Sequence, residues 1–193
     1  MTDYISKIIT NGYFLLFVFL FTLRNFVEIV IQQHKKKTSK SEKKGNISLL
    51  TSSVFFLISG FAAGFFLLIH ENINSSLYGV GLIVFILAYI GRARALKILG
   101  DNYSLYIEVK PEHELVVSGI YSVIRHPLYF LYLVEMIAFV MIKWNYVSLI
   151  AVFPVILGIL RRIEEEDRIL ADVFGKQFEA YRSTTKKLIP FIY

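Results

Sequence analysis

Five long runs of apolar residues recur along the chain, separated by shorter segments that carry most of its charge. The runs cover about residues 9–31, 47–69, 73–91, 127–142 and 144–160. A membrane-spanning helix needs about 20 mostly apolar residues. The pattern therefore predicts an all-α integral membrane protein whose five transmembrane helices form a single domain, residues 1–193.

The basic residues lie almost entirely on one predicted face of the membrane. Only Lys7, Arg24 and Lys143 lie outside the segments that follow the first, third and fifth runs. Lysine and arginine are enriched in cytoplasmic loops, so we expect a multi-pass protein of the cell (inner) membrane with its N-terminus outside and its C-terminus in the cytoplasm. The lysine-rich loop after the first run is also suited to binding anionic membrane lipids.

Composition supports this interpretation and excludes others. Apolar residues make up 55% of the chain, above the roughly 45–50% of ordinary soluble domains, and the mean hydropathy is +0.57. The absence of cysteine excludes a disulfide scaffold and a zinc site built on thiolates, and we predict no metal site. The net charge of +6 follows the loops, so we interpret it as an orientation signal and predict no nucleic-acid partner.

Two polar segments on the predicted cytoplasmic face, 100–126 and 161–193, hold the candidate chemistry. Pro127 suits the first position of a helix, which places Arg125 and His126 at a helix N-terminus, where a carboxylate or phosphate binds well. Taken alone, this motif is more simply an interfacial helix start with a snorkelling cation.

The second polar segment opens with a run of charges in which Arg162 and Glu166 have i,i+4 spacing. Pairs of this kind on an exposed helix contribute only about 0.3–0.5 kcal/mol. Taken alone, this segment is a solvated charged helix.

The two segments together resemble a known family. The motifs, in chain order, are His113-Glu114-Leu115-Val116, Gly119-Ile120-Tyr121, Arg125-His126-Pro127-Leu128-Tyr129, Arg162 with Glu166, Leu170 with Phe174-Gly175, and Ile189-Pro190. Over roughly residues 90–193 this order looks like that of the isoprenylcysteine carboxyl methyltransferase family.

The resemblance implies S-adenosylmethionine-dependent methyl transfer at the cytoplasmic membrane face, with the C-terminal segment as a helical lid. The implied acceptor is a lipophilic small molecule, lipid or prenylated group, most simply a carboxylate like that of isoprenylcysteine. The family's substrate-facing arginine, the candidate catalytic residue, falls on Arg162. Its cofactor-contacting positions fall on His113, Glu114, Leu115, Val116, Tyr121, His126, Pro127, Leu128, Tyr129 and Glu166.

The sequence also allows two competing functions and contains three residues that are unusual for the family or for a membrane span. Phospholipid amine methylation and a non-catalytic membrane protein are the competing functions, although Arg162 favours an anionic acceptor over an amine. The chain has Leu131 where the family often has glycine, and Asp167 where it frequently has a second glutamate. Glu135, inside the fourth run, either pairs with a buried polar group such as Arg24 or Tyr132 or lines the path of a lipophilic substrate.

Overall fold

The computed structural model describes residues 75–103, 114–142 and 146–193, together with a few helical positions between residues 12 and 26. The long elements of these ranges are helices: α1 (Ser75–Leu99), α2 (Pro127–Ile142), α3 (Tyr146–Phe174) and α4 (Lys176–Thr184). Short 3₁₀ helices cover Gly100–Asn102 and Gly119–Ser122. Within the described ranges, no helix combines the length and the apolar character needed to cross a membrane.

Several features predicted from the sequence fall outside the described residues. They include most of the first apolar run and all of the second, 47–69, together with Arg24 and His113. The five-span arrangement of the chain therefore stays a prediction.

The described helices differ from the apolar runs mainly at their C-terminal ends. Helix α2 covers the same residues as the fourth run. Helix α1 continues beyond residue 91 to Leu99, and α3 continues beyond residue 160 to Phe174. Hydropathy marks where charge begins, whereas the helix continues because arginine, lysine, glutamate and leucine all have high helix propensity.

Helices α1 and α2 pack closely and run antiparallel. A Cβ atom at Gly81 would lie 2.9 Å from the backbone nitrogen of Ile142 and 3.0 Å from the carbonyl oxygen of Ala138. Near the other end of the contact, Gly91 faces Leu131. Small residues of this kind allow two helix backbones to approach each other closely.

Helix α3 packs on α2, also antiparallel, through an apolar cluster. Met136 of α2 is buried with Val155, Ile159 and Ile163 of α3, and Leu188 from the segment after α4 completes the cluster. The start of α2 consequently lies beside the charged C-terminal half of α3.

The chain reverses onto the start of α2 after α3 ends. Gly175 precedes α4 with a φ of +48°, a backbone conformation that glycine adopts at little cost. Helix α4 buries Phe178 and Tyr181, and beyond it Lys186 forms a parallel bridge with Ile124. Residues 185–188 are thereby held against residues 123–126, immediately before α2.

Candidate active site

Tyr129, in the first turn of α2, joins two charged side chains of α3. Its hydroxyl donates a hydrogen bond of 2.8 Å to Glu166 Oε2. The same oxygen accepts a hydrogen bond of 2.6 Å from Arg162 Nε. Hydrogen bonds to charged groups are shorter and stronger than neutral ones, so the cation, the phenol and the carboxylate form one fixed chain.

A second contact between the same two helices lies one turn away. His126 Nε2 lies 2.7 Å from Asp167 Oδ1, and His126 is 4% exposed. An ionised carboxylate only accepts hydrogen bonds, so Nε2 carries the proton in this contact. The centroids of the His126 and Tyr129 rings are 5.8 Å apart, which makes the two contacts neighbouring cross-links between α2 and α3.

Asp167 is held in its charged form. Burial alone would raise the pKa of this carboxyl group. The hydrogen bond from His126 and the positive charges of Arg125 and Lys187 outweigh that effect, and the net result is a pKa below the ordinary value of 3.8.

Arg125 connects Asp167 to the segment after α4. Its Nη1 donates to the carbonyl oxygen of Thr185 at 2.6 Å, to that of Arg182 at 3.2 Å and to Thr185 Oγ1 at 3.3 Å. Its Nη2 lies 3.9 Å from Asp167 Oδ2. Arg125 is 9% exposed, so this cation is buried among oxygen acceptors.

Backbone hydrogen bonds also join the residues before α2 to the segment after α4. The amide of Arg125 donates to the carbonyl oxygen of Lys186 at 2.8 Å, and that of His126 donates to Lys187 at 3.2 Å. In return, the amide of Lys186 donates to Val123 at 3.2 Å. The residues before α2 are thus fixed from the C-terminal side by both backbone and side-chain hydrogen bonds.

Tyr121 belongs to an apolar group on the α1 side of the site. It is buried with Ala95 and Leu131, and Val116 and Leu128 pack against them. Its backbone oxygen accepts a 2.7 Å hydrogen bond from the Tyr181 hydroxyl. Burial, reinforced by the nearby charge of Glu166, raises the pKa of Tyr121 well above its ordinary value of 10.0, so the phenol stays neutral.

The structure brings the sequence-predicted residues together in two groups. Arg162, Tyr129 and Glu166 share the hydrogen-bonded chain, with His126 and the buried Pro127 beside it. The apolar group on the α1 side holds Val116, Tyr121 and Leu128.

The other predicted cofactor positions lie at the edge of this arrangement or beyond it. Leu115 is half-buried, and the exposed Glu114 donates its amide to Asn102 Oδ1 at 3.0 Å. His113 is not among the described residues.

Three contributors to this region were not identified as such from sequence. Asp167 was noted only as a departure from the family pattern, and Arg125 only as a possible anion-binding cation at a helix start. Thr185 was not singled out. Their adjacency to Glu166 and His126 was a signal for the first two, but nothing in the sequence relates Thr185 to residues 60 positions earlier.

The two unusual residues of α2 are both buried. Leu131 is 8% exposed, and a Cβ atom at Gly91 would lie 3.0 Å from its Cδ2 atom. The glycine on α1 thus makes room for the large side chain on α2. Glu135, one turn later, is 0% exposed, and its role stays a prediction.

The chain is similar in sequence to known methyltransferases. The model of the isoprenylcysteine carboxyl methyltransferase (ICMT) family matches residues 80–172. The protein-S-isoprenylcysteine O-methyltransferase of Dictyostelium discoideum is 28% identical over 191 residues, which cover 94% of this chain and 78% of that protein. Form B of that enzyme from Arabidopsis thaliana is 30% identical over 58% of each chain.

A solved structure agrees with the sequence matches. The structure of the eukaryotic intramembrane Ras methyltransferase ICMT aligns with a TM-score of 0.66 and 27% identity, covering 97% of this chain and 68% of the other. Together the matches identify the chain as a methyltransferase. Over residues 80–172 it resembles the isoprenylcysteine carboxyl methyltransferase family, and the aligned structure is that of an intramembrane enzyme.

Proposed function

We propose that this enzyme uses S-adenosylmethionine to methylate the carboxylate of a lipophilic, isoprenylcysteine-like acceptor at the cytoplasmic face of a membrane. The observation that carries the proposal is the hydrogen-bonded chain from Arg162 through Tyr129 to Glu166. A cation and a carboxylate fixed on one phenol offer partners for an anionic acceptor and a cationic donor within one small volume.

The side chains present fit this methyl donor. Its amino-acid end carries one ammonium and one carboxylate group, and the site offers the Glu166 carboxylate, the phenols of Tyr121 and Tyr129, and the N-terminal end of α2. When bound, S-adenosylmethionine supplies a methyl group on a sulfonium, whose carbon–sulfur electron pair leaves with sulfur as oxygen bonds to the methyl carbon. We assign cofactor binding to the ten positions predicted above from His113 to Glu166.

The chain's own residues act by binding and orientation. A carboxylate acceptor is already a nucleophile near neutral pH, so no side chain has to remove a proton from it. In this proposal Arg162 orients the acceptor, and Tyr129 fixes the Arg162 side chain. Alignment of reacting atoms and exclusion of water then supply most of the acceleration.

The proposed enzyme crosses the membrane several times. The distribution of basic residues and the integral membrane character of the family support a multi-pass protein with five spans. The same distribution favours a cytoplasmic C-terminus and a cell-membrane location. Such a topology would let a lipophilic acceptor reach the site from the bilayer.

The proposal is tested by the chemical nature of the product. The full chain, purified in lipid nanodiscs, is incubated with methyl-labelled S-adenosylmethionine and either N-acetyl-S-farnesylcysteine or phosphatidylethanolamine. We expect label only on the cysteine derivative, released as methanol by mild alkali as an ester requires. Label on the lipid amine, or no transfer, would overturn the assignment.

The role of Arg162 is tested separately. Arg162→Ala is expected to cut turnover while leaving the dissociation constant for S-adenosylmethionine nearly unchanged, because the arginine acts on the acceptor. Arg161→Ala, which removes an exposed cation from the same helix, is the matched control. Loss of cofactor affinity in Arg162→Ala, measured by calorimetry, would move Arg162 to the cofactor side.

A further inference from the structure

Asp167 lies at the centre of the contacts between three parts of the chain. One carboxylate oxygen is 2.7 Å from His126 Nε2 and the other is 3.9 Å from Arg125 Nη2. Arg125 in turn binds oxygens of Arg182 and Thr185. Helix α3, the start of α2 and the segment after α4 therefore meet around one carboxylate.

These contacts fix the register of α2 against α3. His126 immediately precedes α2 and Tyr129 lies in its first turn, and their partners Asp167 and Glu166 are neighbours on α3. A shift of the start of α2 by one ångström would break the 2.8 Å contact between Tyr129 and Glu166, because hydrogen bonds weaken steeply beyond about 3.2 Å.

We propose that Asp167 is a positioning residue, which acts through His126 and Arg125 to hold the start of α2 where Tyr129 meets Glu166 and Arg162. This inference rests on the proposed function only for its expected effect on S-adenosylmethionine binding. The positioning itself is a property of the folded chain and is measurable without any ligand.

Burial strengthens the electrostatic interactions among these three side chains. The side chains of His126, Arg125 and Asp167 are 3%, 6% and 13% exposed, so solvent screens these charges little. A carboxylate also selects the tautomer of the imidazole, since Nε2–H must face it. An uncharged amide in its place can present N–H instead, which favours the other tautomer.

Asp167→Asn is the main test because it preserves shape and removes charge. We expect the dissociation constant for S-adenosylmethionine to rise roughly 10- to 100-fold, the worth of a hydrogen bond to a charged group. Asp167→Glu keeps the charge with one more methylene and should recover most of the affinity. Glu165→Gln, which removes an exposed negative charge from the same helix, should bind like the wild type.

Hydrogen–deuterium exchange gives a readout that needs no cofactor. In Asp167→Asn we expect faster exchange at the amides of Arg125, His126 and Lys186, which are bonded across the two segments, and unchanged exchange within α1. Unchanged exchange at these three amides would overturn the proposal. Methyl transfer that fails in the wild type would instead overturn only the proposed function.

A purely structural role predicts a different result. It would lower the folded fraction but leave the cofactor affinity of the folded molecules unchanged, and that outcome would also overturn the proposal. If Asp167→Asn does not fold, Arg125→Lys serves in its place, because lysine cannot reach the several oxygens that Nη1 and Nη2 contact together. We then expect the same rise in dissociation constant and the same faster exchange.

Discussion

Helix α2 contacts one neighbouring helix through close apolar packing and the other through hydrogen bonds to charged groups. Toward α1 it offers small and apolar residues, and the two backbones meet where Gly81 leaves no room for a side chain. Toward α3, His126 just before the helix and Tyr129 in its first turn meet carboxylates at 2.7 and 2.8 Å. Close packing holds the helix in place, and the polar contacts set the chemistry at its end.

Substitutions in these two contacts should alter different measured properties. Packing contacts respond to volume, and their loss is seen in the free energy of unfolding. Hydrogen bonds to charged groups are directional and fix the geometry of the groups that they join. Substitutions on the α1 side should therefore change stability, and those on the α3 side should change activity.

The largest expected effect is on the packing side. Gly81→Ala places a Cβ atom 2.8–3.0 Å from Ile142 and Ala138, two of the contacts being with backbone that cannot move aside. We expect the free energy of unfolding to fall by about 3 kcal/mol, measured by thermal unfolding in detergent. Gly79→Ala, which meets nothing within 4 Å, should be neutral or stabilising, and equal losses in both variants would contradict the packing account.

The next effect is on the polar side. Tyr129→Phe removes the phenolic oxygen that binds both Arg162 and Glu166 and keeps the ring. We expect kcat/KM to fall by a factor corresponding to about 2 kcal/mol, roughly 30-fold, with little change in unfolding temperature. Tyr193→Phe, at a half-exposed ring, is the control. A fall in stability without a fall in activity would show that the Tyr129 hydroxyl stabilises the fold and does not serve the active site.

A smaller effect tests how much the packing side can adjust. Gly91→Ala would bring a Cβ atom 3.0 Å from the Cδ2 atom of Leu131, and a side-chain terminus can move where a backbone cannot. We expect the free energy of unfolding to change by less than about 1 kcal/mol. The double variant Gly91→Ala with Leu131→Ala should relieve the contact, and a non-additive result in unfolding experiments would confirm that the two residues share one space.

The last prediction concerns the contribution of Asp167 to stability at acid pH. Because its pKa in the folded protein is below 3.8, its charge stabilises the fold at pH values above 3.8, and this contribution is lost as the pH falls through the folded-state pKa. Unfolding temperatures below pH 4 should therefore decline more steeply for the wild type than for Asp167→Asn. Parallel declines would show that the carboxylate gains nothing from its partners.

Sequence patterns predicted the bounds of α2 better than they predicted its contacts. Pro127 and the apolar run after it indicated where α2 begins and ends, since both signals are local. The pairing of His126 with Asp167 joins residues 41 positions apart, and no periodicity within either helix specifies which residues meet across helices.

Only the family resemblance indicated that the polar motifs belong to one site. Arg162 and Glu166 were expected to share a face, which is a property of one helix. Their joining through Tyr129 depends on how two helices dock. The resemblance assigned all three to one site, but it did not assign a role to Asp167, which differs from the usual residue.

The bonds between Arg125 and Thr185 have a consequence for biosynthesis. These partners are 60 residues apart, and domains assemble as the chain emerges from the ribosome at about 5–20 residues per second. Helix α2 is therefore made several seconds before the Thr185 oxygens that accept hydrogen bonds from Arg125. During that interval Arg125 lacks these acceptors, and the contacts between the start of α2 and the segment after α4 form only once residue 185 has been synthesised.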